Sequence, residues 1–298
     1  VAAENPVLVV SRCARTPKGM QLLIELAELL QCAVIDQHRR MNFPTRHPLN
    51  MTMLSEPAAR PIPVPESLNA DLVVGLEPSD FYYTVRKLVQ GSRPPKLITI
   101  TSLDLFHKSN FNDIQQFRDV DLSIAADAEA TLPDLIEACK KLITDDKKRA
   151  FQARGARLGE LSRRAQEKAR LDASFGWDAS PISTARLVME TWAQVKDTDW
   201  CLSNGNLSGW PARLWPMEKQ YRYLGGSGGY GQGYGPQAAV GAALANKDLG
   251  RFTVSFQGDG DLMYAPGVLW TAAHHRIPLL QVMHNNRGYH QELMHVQR

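Results

Sequence analysis

The chain of 298 residues contains no run of 18 apolar residues and no signal-peptide pattern. Membrane insertion and secretion therefore find no support in it, and a cytoplasmic protein is expected. Cysteine is scarce: Cys13, Cys32, Cys139 and Cys201 are the four present, with no Cys-x-x-Cys pair and no histidine at zinc spacing. That excludes a disulfide scaffold and a zinc module, and leaves buried or free reduced thiols. An excess of one charge is lacking as well, since 34 Lys and Arg face 31 Asp and Glu, a net +3. Such a balance is too mild to announce nucleic acid. The basic stretch 147–170 carries nine Lys or Arg against two Glu, but it lacks the interleaved aromatics on which bases stack, and reads as a solvated linker helix. With 44% hydrophobic and 22% charged residues the chain can build a core in each of two domains.

What is present begins with an alternation of strand and helix patterns. Residues 6–10 and 33–36 read as strands around a helix that Pro17 opens, its apolar face running through Leu22, Leu23, Leu26, Leu29 and Leu30. Residues 71–75, 97–101 and 121–125 continue the series of strands, and 132–143 read as another helix. The first half is thus Rossmann-like. No Gly-x-Gly-x-x-Gly follows any of these strands, so dinucleotide binding there has no sequence support. Residues 43–48 form a polar, proline-bearing loop whose Arg46 and His47 are either functional or part of a loop that docks against a neighbouring domain.

In the second half, Ser180 and Pro181 read as the N-cap and first position of a helix reaching about residue 195. A strand at 199–203 ends in Asn204-Gly205-Asn206-Leu207-Ser208, where Asn204 and Asn206 suit a phosphate cradle or, alternatively, a simple turn. A glycine run at 225–235 then leads into a helix at 236–246. Glycine lets the backbone approach a ligand closely, and the helix N-terminus favours anions. A strand at 252–257, a helix at 262–275 and a strand at 278–284 follow as a βαβ unit. Its two carboxyl-end turns are Gly258-Asp259-Gly260-Asp261 and Asn285-Asn286-Arg287-Gly288-Tyr289, with Asp259 and Asn286 standing 27 positions apart. A carboxylate, an amide oxygen and a backbone carbonyl suit a hard cation such as Mg2+, whose shell is completed by phosphate oxygens. An EF-hand is excluded, because Met263 stands at the third ligand position and no Glu falls at the twelfth.

The pairing of Gly-Asp-Gly with Asn-Asn at this spacing resembles the signature of thiamine diphosphate (ThDP)-dependent enzymes. Leu269-Trp270-Thr271-Ala272-Ala273 with Ile277-Pro278, and Phe43-Pro44-Thr45-Arg46-His47-Pro48 upstream, look like the benzoylformate decarboxylase branch. The resemblance covers essentially the whole chain. It implies an α/β fold with two Rossmann-like domains, their mainly parallel sheets flanked by helices. Residues 1–145 would be the central domain, 146–174 a linker helix and 175–298 the diphosphate-binding domain. Carried over position by position, Asp259, Asn286 and the Gly288 carbonyl would hold Mg2+. The backbone at Gly258, Gly260 and Asp261 would face the diphosphate, Tyr230 would wedge beneath the bent cofactor, and the Gly228 carbonyl would take its 4'-amino group. Counting from Ala238-Ala239 instead puts Gln232 in the wedge position.

The activity implied is ThDP- and Mg2+-dependent decarboxylation of a 2-oxo acid. Acetolactate-synthase-like carboligation is the alternative, and a non-catalytic ThDP-binding or assembly subunit the alternative of another class. Some relatives hold FAD in the central domain; it is not expected here. The family's catalytic glutamate lies on a pyrimidine-binding domain that this sequence does not display, and no histidine occurs near Phe81-Tyr82-Tyr83. The chain is therefore expected to be part of a longer enzyme, or to work with a companion chain, and to be inactive alone. A homodimer or homotetramer is implied, since the family builds each site between subunits. His290 either faces substrate or is an ordinary solvated helix histidine.

Overall fold

The run Pro6-Val7-Leu8-Val9-Val10 is buried at every position, a pattern that suits a parallel strand covered by helices on both faces. In the computed structural model, residues 1–37, 40–55, 68–79, 81–88, 94–102, 119–204, 207–225 and 233–297 are described. The chain divides into two compact units, Val1–Asp172 with Pro216–Gln220, and Ala173–Trp215 with Tyr221–Arg298. Each is an α/β unit built on a parallel sheet, as the sequence pattern implies.

In the first unit five strands lie in the order β2-β1-β3-β4-β5: β1 (Pro6–Val10), β2 (Ala33–Asp36), β3 (Leu72–Leu76), β4 (Lys96–Ile100) and β5 (Leu122–Ile124). Every neighbouring pair is parallel. Helix α1 (Pro17–Leu30) opens as expected, with the Thr16 side chain accepting the Gly19 N–H and proline in the first turn. Short helices α2 (Thr52–Ser55) and α3 (Phe81–Leu88) follow, then α4 (Ala128–Leu142) and the long α5 (Asp145–Ser174). The α5 helix is more than a solvated spacer. Its outer face is laced with pairs such as Arg163 with Glu160 and Lys168 with Asp172, while Phe151, Arg154, Leu158, Ser162, Ala165 and Ala169 form a buried stripe at helical spacing. Arg154 donates to the carbonyls of Leu30 and Gln31, satisfying the orphan acceptors at the end of α1. The basic count hid this apolar stripe.

The loop at 43–48 is also structural. Phe43 is buried, Thr45 N–H donates to Met217 O at 3.0 Å, and Met217 N–H returns to Thr45 Oγ1 at 2.9 Å, so the loop joins residues 216–220 to this unit. Burial pushes the Arg46 guanidinium pKa below its ordinary value. At the carboxyl edge of the sheet, the turn from β1 into α1 is filled by the chain's own Glu129. Its carboxylate accepts the Arg15 N–H at 2.6 Å and the Thr16 hydroxyl at 2.5 Å, lies over Gly19, and faces the Arg15 guanidinium, which pairs with Asp127 as well. A helix N-terminus is where a Rossmann-like sheet would place a ligand's phosphate.

The second unit holds three strands in the order β6-β7-β8: β6 (Trp200–Asn204), β7 (Phe252–Gly258) and β8 (Leu279–His284). Its helices are α6 (Thr184–Val195), α7 (Trp210–Leu214), α8 (Tyr234–Lys247), α9 (Asp259–Met263), α10 (Gly267–His274) and α11 (His290–Val296). Two boundaries differ from expectation. The α6 helix is capped by Ser183, whose hydroxyl accepts the Arg186 N–H at 3.2 Å, so Ser180 and Pro181 lie ahead of it. The single helix expected at 262–275 is two, because Pro266 disfavours helical geometry at Ala265 and becomes the N-cap of α10. Trp200 and Trp215 pack edge to face at 5.2 Å beside Phe256 and anchor the core, with the Trp215 indole N–H donating to Val188 O. All four cysteines are free and buried; burial pushes the Cys32 thiol up to about 12 and Cys201 up to about 11. Among the described residues no helix is long and apolar enough to cross a membrane.

Candidate functional site

Strands β7 and β8 are in parallel register, Gln257 opposite Met283 and Gly258 opposite His284, so the residues that follow emerge side by side at the carboxyl edge. Asp259 is the first residue of α9 and Asn286 stands two past the end of β8. The Asn286 N–H donates to Asp259 Oδ1 at 3.2 Å, which brings the two turns together across 27 residues. Asn286 Oδ1 accepts the Gly288 N–H at 3.4 Å, folding its own loop back toward the amide. A Cβ placed on Gly258 or Gly288 would meet nothing within 4 Å, so open space lies in front of both turns. Tyr289 donates its hydroxyl to Gly260 O at 2.8 Å and packs its ring on that glycine. The phenol pKa is raised by desolvation first, then by Tyr264 and by the Asp259 and Asp261 charges.

The glycine run is fixed at both ends. At its entry Leu202 N–H donates to Arg222 O and Leu224 N–H to Leu202 O, so the segment lies along β6. At its exit Gly233 has φ +78 and caps α8; a Cβ there would sit 2.6 Å from Tyr264 Cβ, so both backbone and space demand glycine. Gly233 N–H donates to Asp261 Oδ1 at 2.7 Å. Asn204, at the end of β6, is buried and donates to Phe256 O at 3.1 Å. Beside it Gln257 is buried, and its Oε1 accepts no hydrogen bond among the described residues. Both side chains crowd Gly235 in the first turn of α8, Gln257 Oε1 lying 2.5 Å from where a Cβ would be.

Of the residues singled out in the sequence, Gly258, Asp259, Gly260, Asp261, Asn286 and Gly288 converge at one sheet edge, with Asn204 on the strand β6 beside β7. Asn206, Gly228, Tyr230 and Gln232 lie outside the described residues, as does the His290 side chain. Three contributors were not anticipated as such: the Asp261 carboxylate as partner of Gly233, Tyr289 as partner of Gly260, and Gln257. Tyr289 stands within the Asn-Asn turn and Asp261 within the Asp turn, but no periodicity reveals a partner 28 residues away. Among the described residues there is no cluster of three or more His, Cys, Asp or Glu able to hold a metal. The set here is of another kind, one carboxylate, one side-chain amide and one main-chain carbonyl. All three are oxygen donors, as a hard cation prefers, and the orphaned Gln257 Oε1 adds an unused acceptor at the same edge. The residues fit an Mg2+-bound diphosphate.

Residues 203–297 match the family described as "Thiamine pyrophosphate enzyme, C-terminal TPP binding domain". The chain is 38% identical over 80 residues to the acetolactate synthase isozyme 1 large subunit of Escherichia coli (strain K12), a match covering 26% of this chain and 14% of that protein. Two solved structures share its fold. One, from Mycobacterium smegmatis and described as thiamin diphosphate-dependent, has a TM-score of 0.62 at 23% identity and covers 95% of this chain and 50% of its own. The other, the thiamine diphosphate-dependent 4-hydroxybenzoylformate decarboxylase of Rhodococcus jostii RHA1, has a TM-score of 0.62 at 21% identity, over 100% of this chain and 52% of its own. The chain thus spans about half the length of the solved structures it matches. Both the Asp259 turn and the Asn286 turn lie within residues 203–297, the segment that matches the thiamine pyrophosphate-binding domain family.

Proposed function

We propose that this chain binds ThDP through Mg2+ held by Asp259, Asn286 and the Gly288 carbonyl, and serves the non-oxidative decarboxylation of a 2-oxo acid. The observation that carries the reading is the tie between Asn286 N–H and Asp259 Oδ1, which sets both turns at the carboxyl edge within the matched TPP-binding domain. One carboxylate cannot hold a diphosphate by itself, and a divalent cation supplies the missing positive charge. When bound, ThDP supplies the electron sink for the carbanion left as carbon dioxide departs. The chain's own residues position it: Gly258 and Gly288 leave room for the approach, Tyr289 steadies the Asp turn, and Asp259 with Asn286 orients the metal. The similarity in fold to a 4-hydroxybenzoylformate decarboxylase supports the decarboxylase reading. Carboligation is the second reading, supported by the acetolactate synthase large-subunit match.

The pyrimidine side of the site, with the glutamate that activates the cofactor, would come from the remainder of a longer enzyme or from a companion chain. Calorimetry with ThDP, in Mg2+ and then in excess chelator, tests the binding reading. Equal affinity in both would sink it. Product analysis of the completed enzyme with benzoylformate and with pyruvate separates the two chemistries, aldehyde alone for decarboxylation and a carbon–carbon coupled acid for carboligation. ThDP held without turnover of either acid would favour a non-catalytic binding or assembly subunit.

A further inference from the structure

The three residues after β7 each reach a different neighbour. Asp259 Oδ1 takes the Asn286 N–H, Gly260 O takes the Tyr289 hydroxyl, and Asp261 Oδ1 takes the Gly233 N–H at 2.7 Å. Neither the metal nor the phosphates require the last of these. Gly233 brings no side chain to cap α8, and its own N–H is accepted by Asp261, 28 residues farther along the chain. Tyr264, just past the end of α9, closes against the same glycine. The exit of the glycine run is therefore held by α9, while its entry is held along β6.

We propose that Asp261 is a positioning residue that couples the metal turn to Gly233, so that a cation seated at Asp259 also sets the N-cap of α8. This rests on the ThDP reading. A cation that fixes α9 fixes the acceptor for Gly233, and by reciprocity a Gly233 amide held by Asp261 raises affinity for the cation. A hydrogen bond to a charged group is strong enough for its loss to change such an equilibrium about tenfold.

The test follows the Gly233 amide by hydrogen exchange in the full chain, alone, with Mg2+, and with Mg2+ and ThDP, alongside calorimetry of the cofactor. In the wild type Mg2+ should slow Gly233 exchange. Asp261→Ala should raise its cofactor-free exchange about tenfold, erase the Mg2+ effect and weaken ThDP about tenfold. Asp261→Asn keeps an oxygen acceptor and should restore most of both, which a merely bulky filler would not do. If Asp261→Ala does not fold, Asp261→Ser takes its place. Unchanged Gly233 exchange in Asp261→Ala, or in Asp261→Ser where that replaces it, overturns the proposal, as does raised exchange with unchanged ThDP affinity. A wild-type chain that binds no ThDP with Mg2+ would instead sink the functional reading, and the exchange arm would still decide whether Asp261 holds Gly233.

Discussion

The two units use the same kind of parallel sheet and bring helices to the same carboxyl edge, yet they treat that edge in opposite ways. In the first, the turn between β1 and α1 is closed by Glu129, which takes the Arg15 N–H and the Thr16 hydroxyl and lies beneath the Arg15 guanidinium. In the second, the turns after β7 and β8 bring Asp259 and Asn286 together, and a Cβ on Gly258 or Gly288 would meet nothing within 4 Å. A Rossmann-like topology fixes where a ligand would bind; whether one binds depends on a few side chains at the edge. One carboxylate from the helix that follows the last strand fills the β1–α1 turn of the first edge. On the proposed reading, the Asp259 carboxylate on the turn itself is completed by a cation.

The contrast is broken most forcefully at Asp259. Asp259→Ala should weaken ThDP by more than about 100-fold, beyond the 10–100-fold that losing an outer-shell partner of a metal costs, read by calorimetry in Mg2+. Unchanged affinity would make the second edge as closed as the first. Next in size is Glu129→Ala, which strands the Arg15 amide and the Thr16 hydroxyl while the Arg15 guanidinium keeps Asp127; losing bonds to a charged group costs about 1.5–3 kcal/mol. A melting temperature lower by about 3–10 °C with ThDP affinity intact is the expected outcome. A matching loss of ThDP affinity would mean that the two edges do not act separately. Tyr289→Phe removes a single hydrogen bond to Gly260 and should cost about 0.5–1.5 kcal/mol, seen as a several-fold weaker response to Mg2+ with little change in melting.

A separate effect, on stability rather than on cofactor affinity, is expected in the pH dependence. Buried Cys32 and Cys201 ionise near about 12 and about 11 in the folded protein, against an ordinary value of 9.0 once unfolded. Because the folded values are raised, their contribution is complete below pH 9 and is lost as pH rises through the window toward about 12. Urea midpoints measured at pH 8 and pH 10.5 should fall in that order. Replacing Cys201 by alanine should flatten the decline in the second unit only, whereas a Cys32 substitution should flatten it in the first.

The βαβ spacing of Asp259 and Asn286 was legible without coordinates because it depends on element length alone. A strand, a crossover and a parallel strand return the chain to the same edge whatever the side chains do. The buried stripes of β1 and α1 were legible for the same reason, since a period shows which face meets the core. The break at Pro266 could have been read from local rules, because proline restricts the residue before it. The inner face of α5 could not be seen in its charge count. Arg154 counts as a basic residue in any tally, yet it is buried and capping α1 from more than 120 positions away.

The sequence by itself therefore determined the two parallel sheets, the edge at which a ligand can sit and the oxygen donors on it, because these follow from periodicity, turn chemistry and spacing. Only the tertiary structure decided that Glu129 fills the first edge, that Asp261 serves Gly233, and that Tyr289 braces Gly260. Those ties link residues 114, 28 and 29 positions apart. A hydrogen bond forms only between groups brought within about 3 Å in a favourable direction, and at such separations the packing of helices on sheets, which no local pattern encodes, sets both.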